Sequence, residues 1–353
     1  MHKVPTPCGG GAPYEQLVAC YAEWIISGNN YYNLELRSGT VREYLEAVND
    51  LFERQNFLAP VNFGSAQNLP ALLYRDYKTW EDEPNRRSPF TVDMILEMMS
   101  QAKEAGPDSF EASLVDWVLV GRYVGQRCGE FAQTTQLKED YHVTPRGKKI
   151  LKAFTRGDIR FFNDQGRLIL NPKEGEGKAI AFTTTWKVQK NRRNGQEAEW
   201  AADPQNPTWC PCEAMIRIVN RAKRLKVSTK KPLAVWKDGK GNVKYITGAK
   251  AAIFFKAIAK KLYPYMTEKE LSRFTMHSIR VLAAVLLHEA GKDAEFLKVR
   301  LRWLSDSYRL YLRNTKALAA QHREAIGAFS AHIPDSVEYG VEVDAAMGEY
   351  LDA

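Results

Sequence analysis

The sequence predicts a mainly helical α+β fold that contains a small antiparallel β-sheet. Segments with helical periodicity dominate the chain, and a block of short strand-like runs separated by turn sequences interrupts them. The length of 353 residues exceeds what one hydrophobic core usually organises, so we expect two domains. Hydrophobic residues make up 44% of the chain and aromatic residues 11%, which excludes wholesale disorder.

The chain divides into four predicted regions. The first residues are rich in Gly and Pro, which predicts a disordered start. The polar stretch Glu81–Pro89 holds two prolines and predicts a linker. The last twenty residues hold six acids and no base. The predicted regions are a disordered N-terminus (1–13), a helical domain (14–88), a mixed domain (89–333) and an acidic tail (334–353).

Three helices are predicted in the first domain. Apolar segments lie around Leu17–Ile26 and Leu69–Trp80. Between them, the stretch Thr40-Val41-Arg42-Glu43 has the Thr-x-x-Glu form of a capping box, which predicts a helix that starts at Thr40. Apolar residues then recur at helical spacing, so one face of this helix is expected to be buried.

The mixed domain is predicted to have helices both before and after a small sheet along the chain. Turn sequences such as Asn163-Asp164-Gln165-Gly166 separate the strand-like runs, which favours antiparallel pairing. Four mostly helical segments follow and extend to about Ile333. The other predicted elements are helices over Val92–Lys103, Phe110–Tyr123 and Glu213–Lys223, and strands over Ile159–Asn163, Arg167–Leu170, Ala179–Lys187, Glu197–Ala201, Leu233–Trp236 and Val243–Ile246.

Positive charge is concentrated in part of the mixed domain. The formal net charge is +8, but between Arg217 and Lys260 there are 13 Lys or Arg residues and a single acid, Asp238. This stretch is either a solvated helix and hairpin or a surface that binds phosphates. The acidic tail is either a solvating terminus or a segment that docks on basic surface of its own chain or of a neighbour.

Several classes of protein are not expected from the composition. Five scattered cysteines do not make a disulfide framework, and Cys210 and Cys212 have no second Cys or His pair at a zinc-finger spacing, so no metal site is expected. No run of about 18 apolar residues is present, which argues against a membrane protein. We therefore expect a soluble intracellular protein, located in the nucleus of a eukaryote or otherwise in the cytoplasm or nucleoid.

The most informative spacing lies between Thr275 and Thr315. On a helix, His277 and Arg280 share one face, and an apolar stripe lies opposite, which predicts that both side chains point away from the core. His288 lies about 16 Å farther along the axis and is expected to be structural. Gly291 is expected to end this helix and Asp293 to begin the next.

This block resembles the C-terminal block of the tyrosine recombinase (phage integrase) family. The family pattern is His-x-x-Arg, a Gly, a Leu-Gly-His or Gly-Trp element and a nucleophilic Tyr. Upstream, the stretch Gly125–Phe131 resembles the family's first-arginine motif, Gly-x-Arg-x-Gly-Glu-Leu. The opening Ser38–Arg42 is similar to openings in eukaryotic mobile-element relatives. The resemblance covers Tyr14–Ile333 and implies a helical core-binding domain followed by a tyrosine-recombinase catalytic domain.

Two features of this sequence depart from the family pattern. The Leu-Gly-His element reads Leu301-Arg302-Trp303 here, although Trp occurs at the last position in Cre-like members, where its indole N–H donates to the phosphate. The spacing from Trp303 to Tyr311 is one residue shorter than expected. Tyr308 fits the spacing less well than Tyr311, so the resemblance assigns the nucleophile to Tyr311.

The resemblance also implies the remaining catalytic roles. Arg127 and Arg280 would clamp the scissile phosphate, because planar guanidiniums match the charge that builds on its oxygens. His277 would be the base for the tyrosine or would position it, and Glu130 would orient an arginine or the histidine. A hairpin lysine would protonate the leaving 5′ oxygen; Lys190 fills this role, with Lys187 as the alternative.

Each role has a structural alternative. Arg127 would otherwise be a surface helix residue, Lys190 a solvated hairpin charge and Glu130 an ion-pair partner. Trp303 would otherwise belong to the core. The basic side chains expected to bind DNA are Lys187, Arg192, Arg193, Lys230 and Lys231.

The implied activity is site-specific cutting and rejoining of double-stranded DNA through a 3′-phosphotyrosyl intermediate. Ester exchange conserves the bond energy, so no cofactor is expected, and arginine and lysine supply the charge that a metal would otherwise provide. The family forms tetramers on two DNA sites. The alternatives are a type IB topoisomerase-like nicking and closing enzyme, and a non-catalytic DNA-binding protein derived from a mobile element.

Overall fold

The computed structural model describes residues 11–28, 35–81, 85–133, 140–176, 178–189, 193–312 and 324. The chain forms two compact units, one that ends at Pro84 and one that begins at Asn85. Helices dominate both, and every sheet among the described residues is antiparallel. The predicted mainly helical α+β fold class is thus confirmed.

The first unit is a small bundle of three helices. They are α1 (Gly11–Ile26), α2 (Ser38–Arg54) and α3 (Leu69–Trp80). Helix α2 begins at Ser38, so the predicted start at Thr40 is wrong. The reason lies outside the local sequence: Glu81 accepts hydrogen bonds from the Ser38 backbone N–H (3.0 Å) and hydroxyl (2.5 Å), which satisfies the start of the helix two residues earlier. The core of this unit comprises Val18, Ala22, Ile25, Val41, Leu45, Val61, Ala71 and Tyr74.

The second unit is built around one buried helix, α5. Helices α4, α7 and α10 pack against α5, whose residues are buried on almost every side. The helices of this unit are α4 (Val92–Ala105), α5 (Phe110–Val124), α6 (Cys128–Phe131), α7 (Pro211–Arg224), α8 (Gly248–Leu262), α9 (Glu268–Leu271), α10 (His277–Glu289), α11 (Ala294–Leu301) and α12 (Arg309–Leu312).

The main sheet of the second unit has four strands in the order β4-β3-β5-β6. The central strand β5 is mostly buried, and at its end Trp186 pairs with Gln196 of β6. Two short hairpins, β1-β2 and β7-β8, lie outside this sheet, and the first of them was not predicted. The strands are β1 (Tyr141–Val143), β2 (Lys149–Leu151), β3 (Ile159–Phe162), β4 (Leu168–Ile169), β5 (Ala181–Trp186), β6 (Gln196–Ala201), β7 (Val235–Lys237) and β8 (Val243–Tyr245).

Two glycines allow the elements around α10 to approach closely. A Cβ on Gly121 of α5 would lie 2.1 Å from Cγ2 of Ile279, so only glycine fits between α5 and α10. Gly125 has a φ of +57°, and a Cβ there would lie 2.7 Å from Cδ2 of Leu301. The end of α5, the start of α10 and the end of α11 are thereby held together.

The end of α10 and the start of α11 lie where the sequence predicted them. Helix α10 ends at Glu289, and Gly291 follows with a φ of +73°. Asp293 caps α11 by accepting a hydrogen bond from the Phe296 N–H at 2.7 Å. In the part of the chain that the structure describes, no helix combines the length and apolar character needed to cross a membrane.

The two cysteines before and within α7 take part in ordinary packing. The Cys212 thiol donates to the carbonyl of Ala179 at 3.4 Å, and burial raises its pKa to about 12. The Cys210 sulfur accepts from the Asp203 backbone N–H at 3.2 Å. The described residues contain no group of three or more His, Cys, Asp or Glu side chains arranged to hold a metal ion.

Candidate active site

A histidine and a tyrosine meet at the start of α10. His277 is the first residue of α10, and its Nε2 lies 3.2 Å from the hydroxyl of Tyr311 on α12. Helices α10 and α12 pack directly on each other, so the contact follows from the fold. The sequence separates these residues by 34 positions, and the structure brings them within hydrogen-bond distance.

Tyr308 occupies a different environment from Tyr311. Its side chain is only 2% exposed and packs in a cluster with Leu297 and Leu312. Its neighbour three positions later, Tyr311, faces His277 instead. Of the two tyrosines considered from the sequence, Tyr311 is therefore the one that lies beside a potential base.

The surroundings of His277 favour the neutral imidazole. Burial, together with the positive charges of Arg280, Arg87 and Arg127, lowers its pKa to about 4. At neutral pH the ring is therefore uncharged and has a nitrogen that accepts a hydrogen bond or a proton.

The Tyr311 phenol lies in a field of positive charge. Burial raises its pKa, whereas the charges of Arg86, Arg280 and Arg87 act in the opposite direction. Burial is the larger effect, so the pKa of Tyr311 lies above its usual value although the three guanidiniums stabilise the phenolate. The site thus places a neutral base and several cations around one phenol oxygen.

Arg280 is buried, so the prediction that it points away from the core is wrong. Only 1% of the residue is exposed. Its guanidinium donates to the carbonyl oxygens of Gly125 (2.5 Å) and Leu301 (2.6 Å) and lies 4.4 Å from the centroid of the Trp303 ring. These contacts come from the ends of α5 and α11 and replace the water that a surface arginine would bind. Burial lowers the pKa of Arg280 to about 9, which leaves it charged at pH 7.

Glu130 joins three separate elements through its carboxylate. Oε1 accepts from the Arg127 guanidinium at 3.1 Å. Oε2 accepts from the Arg127 backbone N–H (2.9 Å), the indole N–H of Trp186 (3.2 Å) and the guanidinium of Arg302 (3.0 Å). Burial alone would raise the pKa of Glu130, but the charges of Arg302 and Arg127 outweigh it and lower the pKa. The carboxylate is therefore ionised and holds two arginines.

Trp303 lies between the arginine and the tyrosine. Its ring centroid is 6.1 Å from that of Tyr311, and Arg280 lies over its face. The indole nitrogen is buried and has no hydrogen-bond partner among the described residues. Trp303 thus has packing contacts with both Arg280 and Tyr311.

The Lys187 ammonium is hydrogen-bonded to residues other than those described above. It donates to Asp158 (2.5 Å), to the carbonyl of Ala153 (3.2 Å) and to the hydroxyl of Thr155 (3.5 Å). Lys187 therefore ties the end of β5 to the segment before β3.

The remaining predicted site residues lie in exposed positions or outside the described residues. Arg193 is exposed at the start of the turn into β6. Lys230 and Lys231 are exposed in the segment between α7 and β7. Lys190 and Arg192 lie outside the described residues.

Sequence reasoning missed four residues of this region: Arg86, Arg87, Trp186 and Arg302. The segment that begins at Asn85 is fastened to the segment before α10: the Arg87 guanidinium donates to the carbonyl of Ser272 at 2.9 Å, and Asn85 donates to the Ser272 hydroxyl at 2.7 Å. The sequence signal that could have identified Arg86 and Arg87 is their position as adjacent arginines in the predicted linker.

The lowered pKa of His277 predicts that the stability of the protein depends on pH. We expect the free energy of unfolding to fall as the pH decreases from about 6.5 to about 4. In this window the unfolded imidazole takes up a proton, while folded His277, with a pKa of about 4, remains neutral. The unfolded state then binds more protons, so acid favours unfolding, by at most about 3 kcal/mol.

Urea unfolding at neutral and acid pH measures this effect. The His277→Gln variant serves as the control, because glutamine retains a hydrogen-bonding group without titrating. We expect a smaller loss of stability in acid for the variant than for the wild-type protein. Equal pH dependence of the two proteins would contradict the assignment of a neutral, buried His277.

Comparison with known proteins gives similarity at the level of structure. No protein-family model matches the chain, and neither does any curated protein sequence. An XerH site-specific recombinase bound to a palindromic difH substrate is 11% identical, with a TM-score of 0.47 over 90% of this chain and 72% of that chain. The Tn1549 transposon integrase in complex with circular intermediate DNA is 12% identical, with a TM-score of 0.41 over 88% and 84%. A lambda integrase dimer bound to a core site is 13% identical, with a TM-score of 0.41 over 86% and 80%.

Proposed function

We propose that this protein is a tyrosine recombinase that cuts and rejoins double-stranded DNA at specific sites. The observation that carries the proposal is the contact of 3.2 Å between His277 Nε2 and the Tyr311 hydroxyl, beside the buried guanidinium of Arg280. A phenol, a neutral base and clustered arginines are the groups that an attack on a phosphodiester requires.

In the proposed reaction, the Tyr311 oxygen attacks the phosphorus and gives its proton to His277. A bond forms between the phenol oxygen and phosphorus, and the bond from phosphorus to the 5′ oxygen breaks. The products are a 3′-phosphotyrosyl link and a free 5′-hydroxyl. Attack by the 5′-hydroxyl of a partner strand reverses the step, and the exchange of one ester for another needs no nucleotide cofactor.

The positive charges act on the phosphate during this step. Charge builds on the non-bridging oxygens in the transition state, and guanidiniums fixed in advance stabilise it without reorganisation. Arg127, held by Glu130, and Arg280, held by two backbone carbonyls, have this role in the proposal. Lys190 donates the proton that the leaving 5′ oxygen takes up.

The domain roles and the assembly are part of the same proposal. The helical domain of residues 14–88 is the core-binding domain, and residues 89–333 form the catalytic domain. Lys187, Arg192, Arg193, Lys230 and Lys231 bind DNA phosphates, and the protein acts as a tetramer on two DNA sites. The acidic segment predicted for residues 334–353 lies outside the described residues.

Trapping of a covalent intermediate tests the proposal. The protein is incubated with a pool of nicked duplex oligonucleotides of random sequence, denatured with detergent and analysed by electrophoresis. We expect the wild-type protein to form a DNA adduct and Tyr311→Phe to form none, because phenylalanine has no oxygen to attack phosphorus. Tyr308→Phe is the matched control and is expected to retain adduct formation.

The other outcomes distinguish the competing functions. An adduct that persists in Tyr311→Phe would show that the nucleophile is assigned wrongly. A monomer that relaxes supercoiled DNA without exchanging strands between sites would indicate a topoisomerase-like enzyme. DNA binding without any adduct in the wild-type protein would indicate a non-catalytic DNA-binding protein.

A further inference from the structure

Arg302 has a backbone conformation that is unfavourable for arginine. It follows directly after α11 with a φ of +57° and a ψ of 45°, in the left-handed region that favours glycine. Of the described residues, only Asn56, Lys226 and Arg302 combine a positive φ with a side chain. An arginine here therefore needs a compensating role for its side chain.

The Arg302 side chain is buried against the residues that hold Arg127. Only 2% of it is exposed. One terminal nitrogen donates to Glu130 Oε2 at 3.0 Å, and the guanidinium lies 3.7 Å from the centroid of the Trp186 ring. Glu130 in turn binds the Arg127 guanidinium through its other oxygen. A chain of direct contacts thus runs from Arg302 through Glu130 to Arg127.

The same residue is linked to the second arginine through the backbone. The carbonyl of Leu301, directly before Arg302, accepts a hydrogen bond from Arg280 at 2.6 Å. The conformation of Arg302 therefore determines where this carbonyl points. The side chain of Arg302 thus contacts the residue that holds Arg127. Its backbone conformation orients the carbonyl that holds Arg280.

The charges around Glu130 are not balanced within the described residues. Arg127, Arg280 and Arg302 face this one carboxylate. Burial lowers the pKa of Arg302, and the charge of Glu130 opposes that shift. The Nε and the second terminal nitrogen of Arg302 are buried and have no partner among the described residues. A buried ion pair of this kind is poor evidence for stability alone, which favours a role in orientation.

We propose that Arg302 is a positioning residue: it locks Glu130 in place and thereby holds Arg127 toward the phosphate. This inference rests on the proposed function. Without Arg302, Glu130 keeps its contacts with Arg127 and Trp186 but loses the cation on Oε2. Arg127 then has more freedom, and the pKa of Glu130 rises because one of its three neighbouring guanidiniums is gone.

Replacement of Arg302 by glycine tests the proposal without straining the backbone, since glycine adopts a positive φ freely. Lys226→Gly is the matched control, because Lys226 is exposed and has a φ of +54°. We expect Arg302→Gly to slow adduct formation at least 30-fold, to shift the acid limb of the pH–rate profile to higher pH and to change the Kd for duplex DNA less than 3-fold. Lys226→Gly should leave the rate of adduct formation and the pH–rate profile unchanged.

Two further measurements separate positioning from a structural role. Methylguanidinium added to Arg302→Gly should restore part of the rate, because it refills the vacated site over Trp186 and beside Glu130. Arg302→Lys keeps the charge but lacks the planar group, and its rate should lie between those of the wild type and the glycine variant. A wild-type rate and pH profile in Arg302→Gly would overturn the proposal.

Failure of the proposed function is distinguishable from failure of this inference. If the wild-type protein forms no adduct, the proposed function fails, and Arg302 is judged on the Glu130 titration alone. That titration is followed by 13C NMR, with Glu130→Gln used to assign the signal. A titration in Arg302→Gly at higher pH than in the wild type supports the coupling, and an unchanged titration overturns it.

Discussion

Replacement of Arg280 by alanine is expected to lower the rate of adduct formation by about 10³ or more. The same change should reduce the free energy of unfolding by about 2–4 kcal/mol, because the carbonyls of Gly125 and Leu301 lose a charged donor in a buried region. Arg280 also contributes one of the positive charges that oppose the raised pKa of Tyr311. Both the chemistry and the junction of α5, α10 and α11 therefore depend on this side chain.

Single-turnover kinetics on the trapped DNA and urea unfolding measure the two effects separately. Arg300→Ala is the matched control, because Arg300 also donates to a backbone carbonyl, that of Glu199 at 3.1 Å, and stacks on a tryptophan, Trp200. We expect the control to retain the rate of adduct formation. A folded Arg280→Ala protein with a wild-type rate would remove Arg280 from the proposed mechanism.

Lysine at position 280 separates charge from geometry. Lysine retains one positive charge but cannot span the two carbonyls as a planar guanidinium does. We expect Arg280→Lys to recover part of the stability lost in the alanine variant, with a rate still far below that of the wild type.

The burial of Arg280 depends on contacts that the local sequence does not predict. Helical periodicity correctly predicted α10, and the spacing of His277 and Arg280 correctly predicted that they share a helix. The carbonyls that bury Arg280 belong to residues 155 and 21 positions away in sequence. No local pattern contains that information, so a charged residue opposite an apolar stripe was predicted to face solvent.

The sheet shows the same division between local and distant information. Strand-like runs between turn sequences predicted β3, β5 and β6 to within two residues at each end. The hairpin of β1 and β2 was not predicted from the sequence. The start of α2 was missed because its cap comes from Glu81, across the bundle.

Arg302 and Trp186 could not be assigned from the motif alone. In the sequence, Arg302 stands out only because it replaces the glycine of the Leu-Gly-His element. Trp186 is recognised only as a residue near the end of a predicted strand. Their shared partner Glu130 lies 172 and 56 residues away, respectively. Contacts across such separations depend on how the sheet, α6 and the end of α11 pack together.

Two lysines between β5 and β6, Lys187 and Lys190, are the candidates for the residue that protonates the leaving 5′ oxygen. An ammonium has three N–H donors, and Lys187 directs its ammonium at three acceptors, on Ala153, Thr155 and Asp158. A lysine held in this way anchors the hairpin. We therefore keep Lys190 as the proposed general acid and expect Lys190→Ala to slow cleavage about 10²- to 10⁴-fold.

A substrate with sulfur in place of the bridging 5′ oxygen tests this assignment. A thiolate with a pKa of about 8.5 leaves without a proton, whereas an alkoxide does not. Lys190→Ala should therefore cleave the sulfur substrate at close to the wild-type rate while remaining slow on the oxygen substrate. Lys187→Ala is the matched control: it should slow both substrates equally and lose about 1–3 kcal/mol of stability, because Asp158 loses its cation. Selective recovery of Lys187→Ala on the sulfur substrate would instead make Lys187 the acid, and its bond to Asp158 would then have to break before cleavage.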